Sequence, residues 1–218
     1  MISRAVVVSL TVVAVLLGGA PTAASSAAAA GSSFYVVRPD LRLCPSPLCG
    51  GYWAGLANHA RATCHDGALR PRCYVTRIVG DDRNPLGVNV PTGSLVRADI
   101  EPSKDEGFGE LGVLVVAGVF SPAGSAIVGG SFFRLVDTGV RCIRAPCFSF
   151  SAAQLNRSVR TTLSGIELGS ARAAPEEGVR AETALHRKTG LLAQGRIVPA
   201  TDGGRVFRAT RLFLRSER

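Results

Sequence analysis

The sequence of 218 residues has few residues of the types that carry catalysis. It holds three histidines, one tryptophan, and two lysines against 23 arginines. It contains no nucleophile elbow, H-E-x-x-H motif, phosphate-binding loop or dinucleotide fingerprint. Because histidine has an ordinary pKa near neutrality, His59, His65 and His186 are the candidate bases at neutral pH. These absences point to no recognisable enzyme class and favour a non-enzymatic protein.

Long apolar runs are absent beyond the first thirty residues, and the later ones are too short to span a bilayer. The first thirty residues have the layout of a secretory signal: Arg4, an apolar run from Ala5 to Leu17, then small residues. Cleavage is expected after Ala30, with Ala24 as a second site. The apolar run is shorter than the roughly 20 residues of a membrane anchor, and no cysteine follows it to carry a lipid. We therefore expect residues 1–30 to be a signal peptide and the mature protein to be exported.

The mature chain repeats one pattern of residues. In each copy an aromatic residue leads to two cysteines five positions apart, and an asparagine follows nine positions later. A glycine-flanked apolar segment also recurs, at 112–118 and at 190–195. The repetition predicts two packed repeats, residues 31–130 and 131–218, the second lacking a Cys64–Cys73 hairpin and a polar stretch. The residues that recur are Phe34, Cys44, Cys49 and Asn58 in the first copy and Phe132, Cys142, Cys147 and Asn156 in the second.

Short β-branched and aromatic runs between Gly and Pro residues predict strands in both repeats. Residues 174–188 are predicted to be helical, because Pro175 suits the first helical position and Glu176 and Glu177 suit the N-terminal dipole. The polar stretch 81–110 is predicted to be a variable insertion. The predicted strands are 34–38, 51–57, 73–79, 111–120 and 131–136 in the first repeat and 131–136, 148–152, 160–168, 191–198 and 206–214 in the second.

The predicted fold is mainly β with one helix. In each repeat the order of three strands, a variable or helical middle and two strands is that of an OB-like barrel. We therefore expect tandem duplicated small β-barrels of OB-like type, stabilised by disulfides. Other small barrels or a split sandwich would accept the same order of elements.

Six cysteines in an exported chain favour disulfides over free thiols. If each repeat closes its own bridge, two pairs are defined and the two remaining cysteines pair with each other. The pairs are not C-x-x-C and His65 is a poor ligand candidate, so we expect no metal and no cofactor. Each bridge closes a short loop, so it should stabilise the fold by at most about 2–3 kcal/mol. The predicted bridges are Cys44–Cys49, Cys142–Cys147 and Cys64–Cys73.

Positive charge is concentrated in the second repeat. Residues 31–130 have no net charge, whereas residues 131–218 carry fourteen Arg and one Lys against seven acidic residues, a net charge of +8. On a regular strand Arg211 and Arg215 would share one face and Arg208 would lie on the other. The candidate anion-binding residues are Arg205, Arg208, Arg211 and Arg215.

The basic repeat predicts an anionic partner, such as a polymer or another component of the cell envelope. Nucleic acid is less favoured because the chain is predicted to be exported and the strands of the second repeat hold few aromatic residues. The alternative is a solvated arginine-rich surface without a specific partner.

Several segments resemble a family of exported bacterial proteins that is defined by a domain of unknown function. The resemblance covers most of the mature chain and implies a bacterial exported protein with disulfide loops. It implies no activity, substrate or catalytic residue. The segments that carry it are Tyr35–Asp40, Cys44–Gly51, Arg141–Cys147 and Leu155–Asn156.

Three functions are consistent with these features. The first is an exported, non-enzymatic binding or structural module whose basic repeat contacts an anionic envelope component. The second is an extracellular inhibitor or protein-interaction factor that presents the proline-containing disulfide loops. The third is an enzyme of unrecognised type that uses His59 or His65 with Asp66, and it would need a pocket that gathers a histidine and a carboxylate from separate segments.

Overall fold

Strands dominate the fold, as the β-branched and aromatic runs predict. The computed structural model describes residues 32–86, 88, 90–124 and 129–216, so the predicted signal peptide lies outside the described residues. Of the described residues 50% are in strands and 8% are helical, with one α-helix. The mainly β fold class is therefore confirmed.

The N-terminal half, residues 32–124, forms a sheet region and a small separate hairpin. The hairpin is the pair β3–β4: β3 ends directly before Cys64, and β4 lies between Cys64 and Cys73, which form a disulfide. The strands of this half are β1 (Ser33–Pro39), β2 (Tyr52–Leu56), β3 (Ala62–Thr63), β4 (Leu69–Arg70), β5 (Cys73–Val75), β6 (Arg77–Gly80), β7 (Ser94–Asp105) and β8 (Gly109–Ala123).

The C-terminal half, residues 129–216, adds six described strands, a short 3-10 turn and the helix. No helix of the described residues is long and apolar enough to cross a membrane. The elements of this half are β9 (Ser131–Asp137), β10 (Phe150–Gln154), β11 (Arg160–Leu163), β12 (Gly165–Glu167), the 3-10 turn (Gly169–Ala171), α1 (Pro175–Leu185), β13 (Leu191–Pro199) and β14 (Arg205–Arg215).

The helix begins where the sequence predicts it and ends three residues earlier. Pro175 is its first residue, and the Glu177 carboxylate accepts a hydrogen bond of 3.0 Å from the Ala174 backbone N–H. Glu176 and Glu177 lie in the first turn, where the positive end of the helix dipole favours them. Local sequence signals therefore account for the start of α1 without help from the rest of the fold.

One sheet runs through both halves. Its main path follows the order β11-β10-β9-β13-β14-β8-β7-β1-β2-β5, and antiparallel pairing of β14 with β8 joins the halves. In addition β6 pairs in parallel with β8, and β12 pairs in parallel with β14. The structure is thus a large, mainly antiparallel sheet that does not close into barrels, whereas the OB-like duplication stays a prediction.

Strand β7 is the main element that the sequence analysis missed. It lies in the stretch 81–110, and the prediction of a variable insertion there is wrong for Ser94–Asp105. Its first residues are buried between two neighbours, with Leu95 opposite Val36 of β1 and Val96 opposite Val119 of β8. Beyond Ala98 it pairs with β8 alone, and its charged residues there are exposed or half-buried. Long-range pairing, which the local polar composition does not indicate, makes this segment a strand.

The glycine-flanked segments that recur in the sequence do not hold equivalent places in the sheet. Residues 112–118 lie on β8 and residues 190–195 lie on β13. The strand whose neighbours correspond to those of β13 is β7, because β7 lies between β1 and β8 as β13 lies between β9 and β14. The sequence match therefore aligns β13 with β8, which is the neighbour of its structural counterpart β7.

Three apolar clusters form the core. One lies within the N-terminal half and one within the C-terminal half. The third is shared: Leu95 and Ala57 of the first half pack with Leu192, Leu155 and Phe213 of the second, and all five are buried. Burial of this shared cluster, together with the β8–β14 pairing, holds the halves as one unit.

Candidate ligand groove and disulfide loops

A groove of about 820 Å³ lies between the two halves. It is lined by α1, by the segment at Leu86 and Val88, and by residues of β1, β7, β8, β9, β13 and β14. Its volume falls within the roughly 300–1,000 Å³ that is typical of small-molecule sites. Neither half contains the groove alone, because each supplies part of its lining.

The uncharged part of the lining is mainly apolar. Phe34 and Phe120 pack with ring centroids 6.3 Å apart, and Phe213 packs in the same way on Phe132 at 5.7 Å. Because all four rings belong to the shared cluster, this part of the lining is already ordered without a ligand. The apolar lining residues include Phe34, Leu86, Val88, Val116, Val119, Phe120, Val179, Leu192, Phe213 and Leu214.

The charged part of the lining has one sign. Six exposed cationic residues line the groove, and no Asp or Glu is among the lining residues that the structure describes. None of the six forms a salt bridge within the described part of the chain; Arg180 Nη2 donates to the Arg215 carbonyl oxygen at 3.1 Å. The described lining of the groove therefore carries positive charge that no salt bridge neutralises. The cations are Arg97, Arg134, Arg180, Arg187, Lys188 and Arg215.

The chain just after α1 brings two of these cations to the groove. The helix ends at Leu185, and Gly190 takes a left-handed φ of +71° before β13 begins. The Gly190 N–H donates to the Arg187 carbonyl oxygen at 2.9 Å, which closes a tight turn around Arg187 and Lys188. This turn, more than the regular helix, places both side chains at the groove.

The sequence-predicted anion site is only partly assembled in the structure. Of the four arginines of β14, only Arg215 lines the groove. Arg208 Nε instead pairs with a Glu167 carboxylate oxygen at 2.8 Å, and Arg211 lies against Gly93. Arg205, exposed at the start of the strand, is not among the lining residues.

A β-bulge changes which arginines of β14 share a face. Opposite Gln194 and Gly195 the partners are Arg211 and Ala209, so Thr210 is an extra residue. Residues that face the C-terminal core are odd-numbered before the bulge and even-numbered after it, as Phe207 and Leu212 show. The expectation that Arg208 and Arg211 lie on opposite faces is therefore wrong, because the bulge inverts the alternation.

The other five cations of the groove were missed by sequence reasoning. They come from β7, β9, α1 and the turn after α1, which are far apart along the chain. No local spacing relates Arg97 or Arg134 to the others, and Arg97 lies in the half that has no net charge. The net charge of +8 in residues 131–218 was the only signal that pointed toward them.

The first disulfide loop is fixed by a buried carboxylate. Asp40, with a side chain 1% exposed, accepts hydrogen bonds from Arg42 Nη2 at 2.9 Å and from Trp53 Nε1 at 3.2 Å. The hydrogen bonds from the Arg42 side chain hold the pKa of this carboxyl below its ordinary value. The Arg42 guanidinium also lies 5.0 Å from the Trp53 ring centroid, so a cation–π contact completes the clamp.

The second loop is fixed in a similar way. Asp137, at the end of β9, accepts hydrogen bonds from Arg141 Nη2 at 2.8 Å and from the Gly139 N–H at 2.8 Å. His186 Nδ1 at the end of α1 lies 2.9 Å from the same carboxylate. The hydrogen bonds from Arg141 lower the pKa of Asp137 far below its ordinary value. Both aspartates therefore fix the turns at the bases of the loops.

The structure joins the cysteines in the pairs that the sequence predicts. The Cα atoms are 5.5 Å apart in Cys44–Cys49, 5.3 Å in Cys64–Cys73 and 5.5 Å in Cys142–Cys147. Disulfides persist in oxidising compartments, so the three bridges indicate an oxidising environment.

A fully exposed apolar side chain stands at each of the two proline-containing loops, Leu43 directly before Cys44 and Ile143 directly after Cys142. Leu43 and Ile143 are both fully exposed (103%), and Leu41 is 86% exposed. The first loop is held further by the Tyr74 hydroxyl, which donates to the Pro47 carbonyl oxygen at 2.8 Å. These side chains therefore stand outside the fold on loops whose conformation is well restrained.

Comparison with known proteins places the chain in a family. Residues 33–218 match the family model described as a domain of unknown function (DUF6748). The chain belongs to this family. No curated protein matches the chain, and no solved structure matches it.

In this DUF6748 domain the histidines proposed for catalysis have other contacts. His59 Nε2 donates to the Asn156 carbonyl oxygen at 2.8 Å, across the boundary between the halves. His65 Nδ1 is buried without a hydrogen-bond partner among the described residues. Asp66 accepts from the Ala68 N–H and pairs with Arg70 at 2.6 Å. The described residues also contain no group of three or more His, Cys, Asp or Glu side chains that could hold a metal ion.

Proposed function

We propose that the protein is an exported, non-enzymatic binding protein that holds an anionic component of the cell envelope in the groove between its halves. The observation that carries this proposal is the set of six cations around an apolar lining, with no carboxylate among the described lining residues. The signal-like first thirty residues and the three disulfides support export.

Uncompensated charge is the physical reason for expecting an anion. Six cations of like sign around one groove repel each other, and a bound anion relieves that repulsion. A groove partly shielded from water lowers the effective dielectric, so each charge acts more strongly on a ligand than it would at an open surface. A solvated arginine-rich surface gives no reason for cations from five separate segments to surround one apolar cavity.

The experiment compares two double variants, one that removes cations from the groove and one that removes cations outside it. The mature protein is titrated with vesicles rich in phosphatidylglycerol and, separately, with the anionic polysaccharide polygalacturonate, at about 50 mM and about 200 mM salt. The variant Arg187→Ala/Lys188→Ala removes two groove cations, whereas Arg205→Ala/Arg208→Ala removes two cations outside the groove at equal cost in net charge. We expect salt-sensitive binding that the first variant weakens and the second retains.

Two outcomes would contradict this proposal. Absence of binding to both probes at low salt would contradict the proposal that the partner is anionic. Equal weakening by the two variants would show that net charge, and not the groove, attracts the probe.

A second candidate function rests on the exposed loop residues Leu43 and Ile143. A rigid loop that presents one apolar side chain loses little entropy when a protein partner buries it, as in inhibitors and interaction modules. The double variant Leu43→Ser/Ile143→Ser leaves the core untouched. If purified secreted proteases are inhibited by the wild-type protein and not by this variant, the loops act as the inhibitory surface; inhibition by neither removes this candidate.

We also infer that the two halves derive from one duplicated unit. Support comes from the order of pairing, which is β5-β2-β1-β7-β8 in one half and β11-β10-β9-β13-β14 in the other. The parallel pairs β6–β8 and β12–β14 occur at matching places, and so do the bulges at Ala117 of β8 and Thr210 of β14.

A further inference from the structure

We infer that the ligand of the groove is an amphipathic anion with a single acyl chain, such as a fatty acid. This inference rests on the proposed function and specifies its ligand class. It combines two features of the same cavity, an apolar lining and a set of cations that form no salt bridge among the described residues.

The apolar lining argues against a polar polymer as the occupant. Apart from the cations, the polar side chains among the described lining residues are Thr183, Thr189 and Ser216. A polysaccharide would bury hydroxyl groups over phenylalanine and valine side chains, and each hydroxyl left without a hydrogen bond would oppose binding. An acyl chain has no such groups and gains from the same contact.

The exposure of Val179 supports this assignment. This residue lies on α1, is 64% exposed and lines the groove. It contributes a large apolar side chain at a surface position where nothing in the described chain covers it. Together with Leu86 and Val88 of the N-terminal half, it extends the apolar lining beyond the shared cluster.

The positions of the cations suit a headgroup beside an apolar chain. In the sheet, Arg134 is opposite Leu192 and Arg215 is opposite Phe120, so each cation adjoins an apolar lining residue. A carboxylate bound by these arginines gains charge-assisted hydrogen bonds while its chain contacts the neighbouring apolar residues. Stacked nucleic-acid bases fit less well, because Phe213 is 2% exposed, and Phe34 and Phe120 are half-buried and pack on each other.

The test measures how binding depends on chain length and on headgroup charge. The mature protein is titrated calorimetrically with decanoate, dodecanoate and tetradecanoate below their micelle concentrations. Each added methylene that enters the groove should tighten binding about 4-fold. Dodecyl maltoside, which has the same chain and a neutral headgroup, should bind at least about 10-fold more weakly than dodecanoate, and high salt should narrow this gap.

Two substitutions with the same chemistry supply a matched control. Val179 and Val159 are both exposed valines (64% and 51%), but only Val179 lines the groove. Val179→Asn should weaken tetradecanoate binding and reduce its dependence on chain length, whereas Val159→Asn should change neither. Because both side chains are exposed, neither substitution is expected to unfold the protein.

The results separate this inference from the proposed function. Salt-sensitive binding of the polyanionic probes without saturable dodecanoate binding would overturn the acyl-chain ligand and leave the proposed function intact. Failure of every anionic probe would overturn both. A dimer detected by sedimentation and broken by Val179→Asn would overturn the acyl-chain inference as well, because a second copy would then be the occupant of the groove.

Discussion

Asn58 and Asn156 make matching hydrogen bonds across the boundary between the two halves. The Asn156 side chain accepts from the Phe34 N–H at 2.9 Å and donates to the Ala57 carbonyl oxygen at 2.9 Å. Asn58 accepts from the Phe132 N–H at 2.8 Å and donates to a backbone carbonyl of the other half at 3.0 Å. Each side chain thereby satisfies backbone groups that belong to the opposite half.

Substitution of Asn156 tests how much this exchange stabilises the fold. Asn156 has a left-handed φ of 56°, which glycine adopts without strain, so Asn156→Gly removes the side-chain hydrogen bonds alone. The Phe34 N–H and the Ala57 carbonyl lose their partners, and we expect the free energy of unfolding to fall by about 2–4 kcal/mol in urea titrations. Arg172→Gly, at an exposed position with φ of 51°, is the control and should change stability little. Equal effects would show that glycine itself, and not the lost bonds, causes the destabilisation.

Acid should weaken the clamp at the base of the second disulfide loop. Hydrogen bonds from Arg141 lower the pKa of Asp137 in the folded protein, so its stabilising contribution is complete above the unfolded-state pKa of about 4. That contribution is lost as the pH falls from about 4 toward the lower folded-state pKa. We expect Asp137→Asn to be less stable than wild type at pH 7, with the difference shrinking by pH 2, as measured by urea midpoints. A difference independent of pH would exclude the carboxylate as its source.

Disulfide mapping provides a direct test of the cysteine pairs. Digestion of the mature protein without reduction should yield peptides linked as Cys44–Cys49, Cys64–Cys73 and Cys142–Cys147, and any other linkage of Cys44 would contradict the repeat-based pairing. Removal of the Cys64–Cys73 bridge, which closes the longest of the three loops, should lower the free energy of unfolding by about 2–3 kcal/mol. Because Cys64 and Cys73 are buried, their replacement by alanine should cost more than replacement of Cys142 and Cys147, which lie nearer the surface.

Alanine substitutions of Gly190 and Gly203 distinguish two costs of adding a side chain, backbone strain and steric overlap. Gly190 and Gly203 both have left-handed φ values, +71° and +82°. A Cβ on Gly190 would lie 2.5 Å from the Leu135 carbonyl oxygen, whereas a Cβ on Gly203 would meet nothing within 4 Å. We expect Gly203→Ala to lose about 1–2 kcal/mol of stability from strain alone and Gly190→Ala to lose clearly more. If thermal unfolding gives the same loss for both, the close approach to β9 is not a constraint.

Much of the local structure follows from residues close together in sequence. Pro175, Glu176 and Glu177 predict where α1 begins, and most strands lie on the β-branched and aromatic runs. The cysteine spacing suggests the three bridges that the structure contains. Each of these features depends on dihedral preference, capping or short loops, which act over a few residues.

Other features depend on pairing between distant segments. The sequence of β7 is polar and contains Pro102, so its composition indicates a loop, but hydrogen bonding to β1 and β8 makes it a strand. The alternation along β14 predicts opposite faces for Arg208 and Arg211, but the bulge at Thr210 inverts it. Neither outcome is visible without the partner strands.

The sequence by itself determines that this is a mainly β, disulfide-bonded protein with a basic C-terminal part. Its local preferences, cysteine spacing and charge count are properties of neighbouring residues, and they hold before any long-range contact forms. Only the tertiary structure decides where that charge acts. Arg97 and Arg134 are 37 positions apart in sequence, and they line one groove with Arg187 because sheet pairing and the turn after α1 bring their segments together. Such a constellation depends on contacts between distant segments, which the net charge of the chain does not specify.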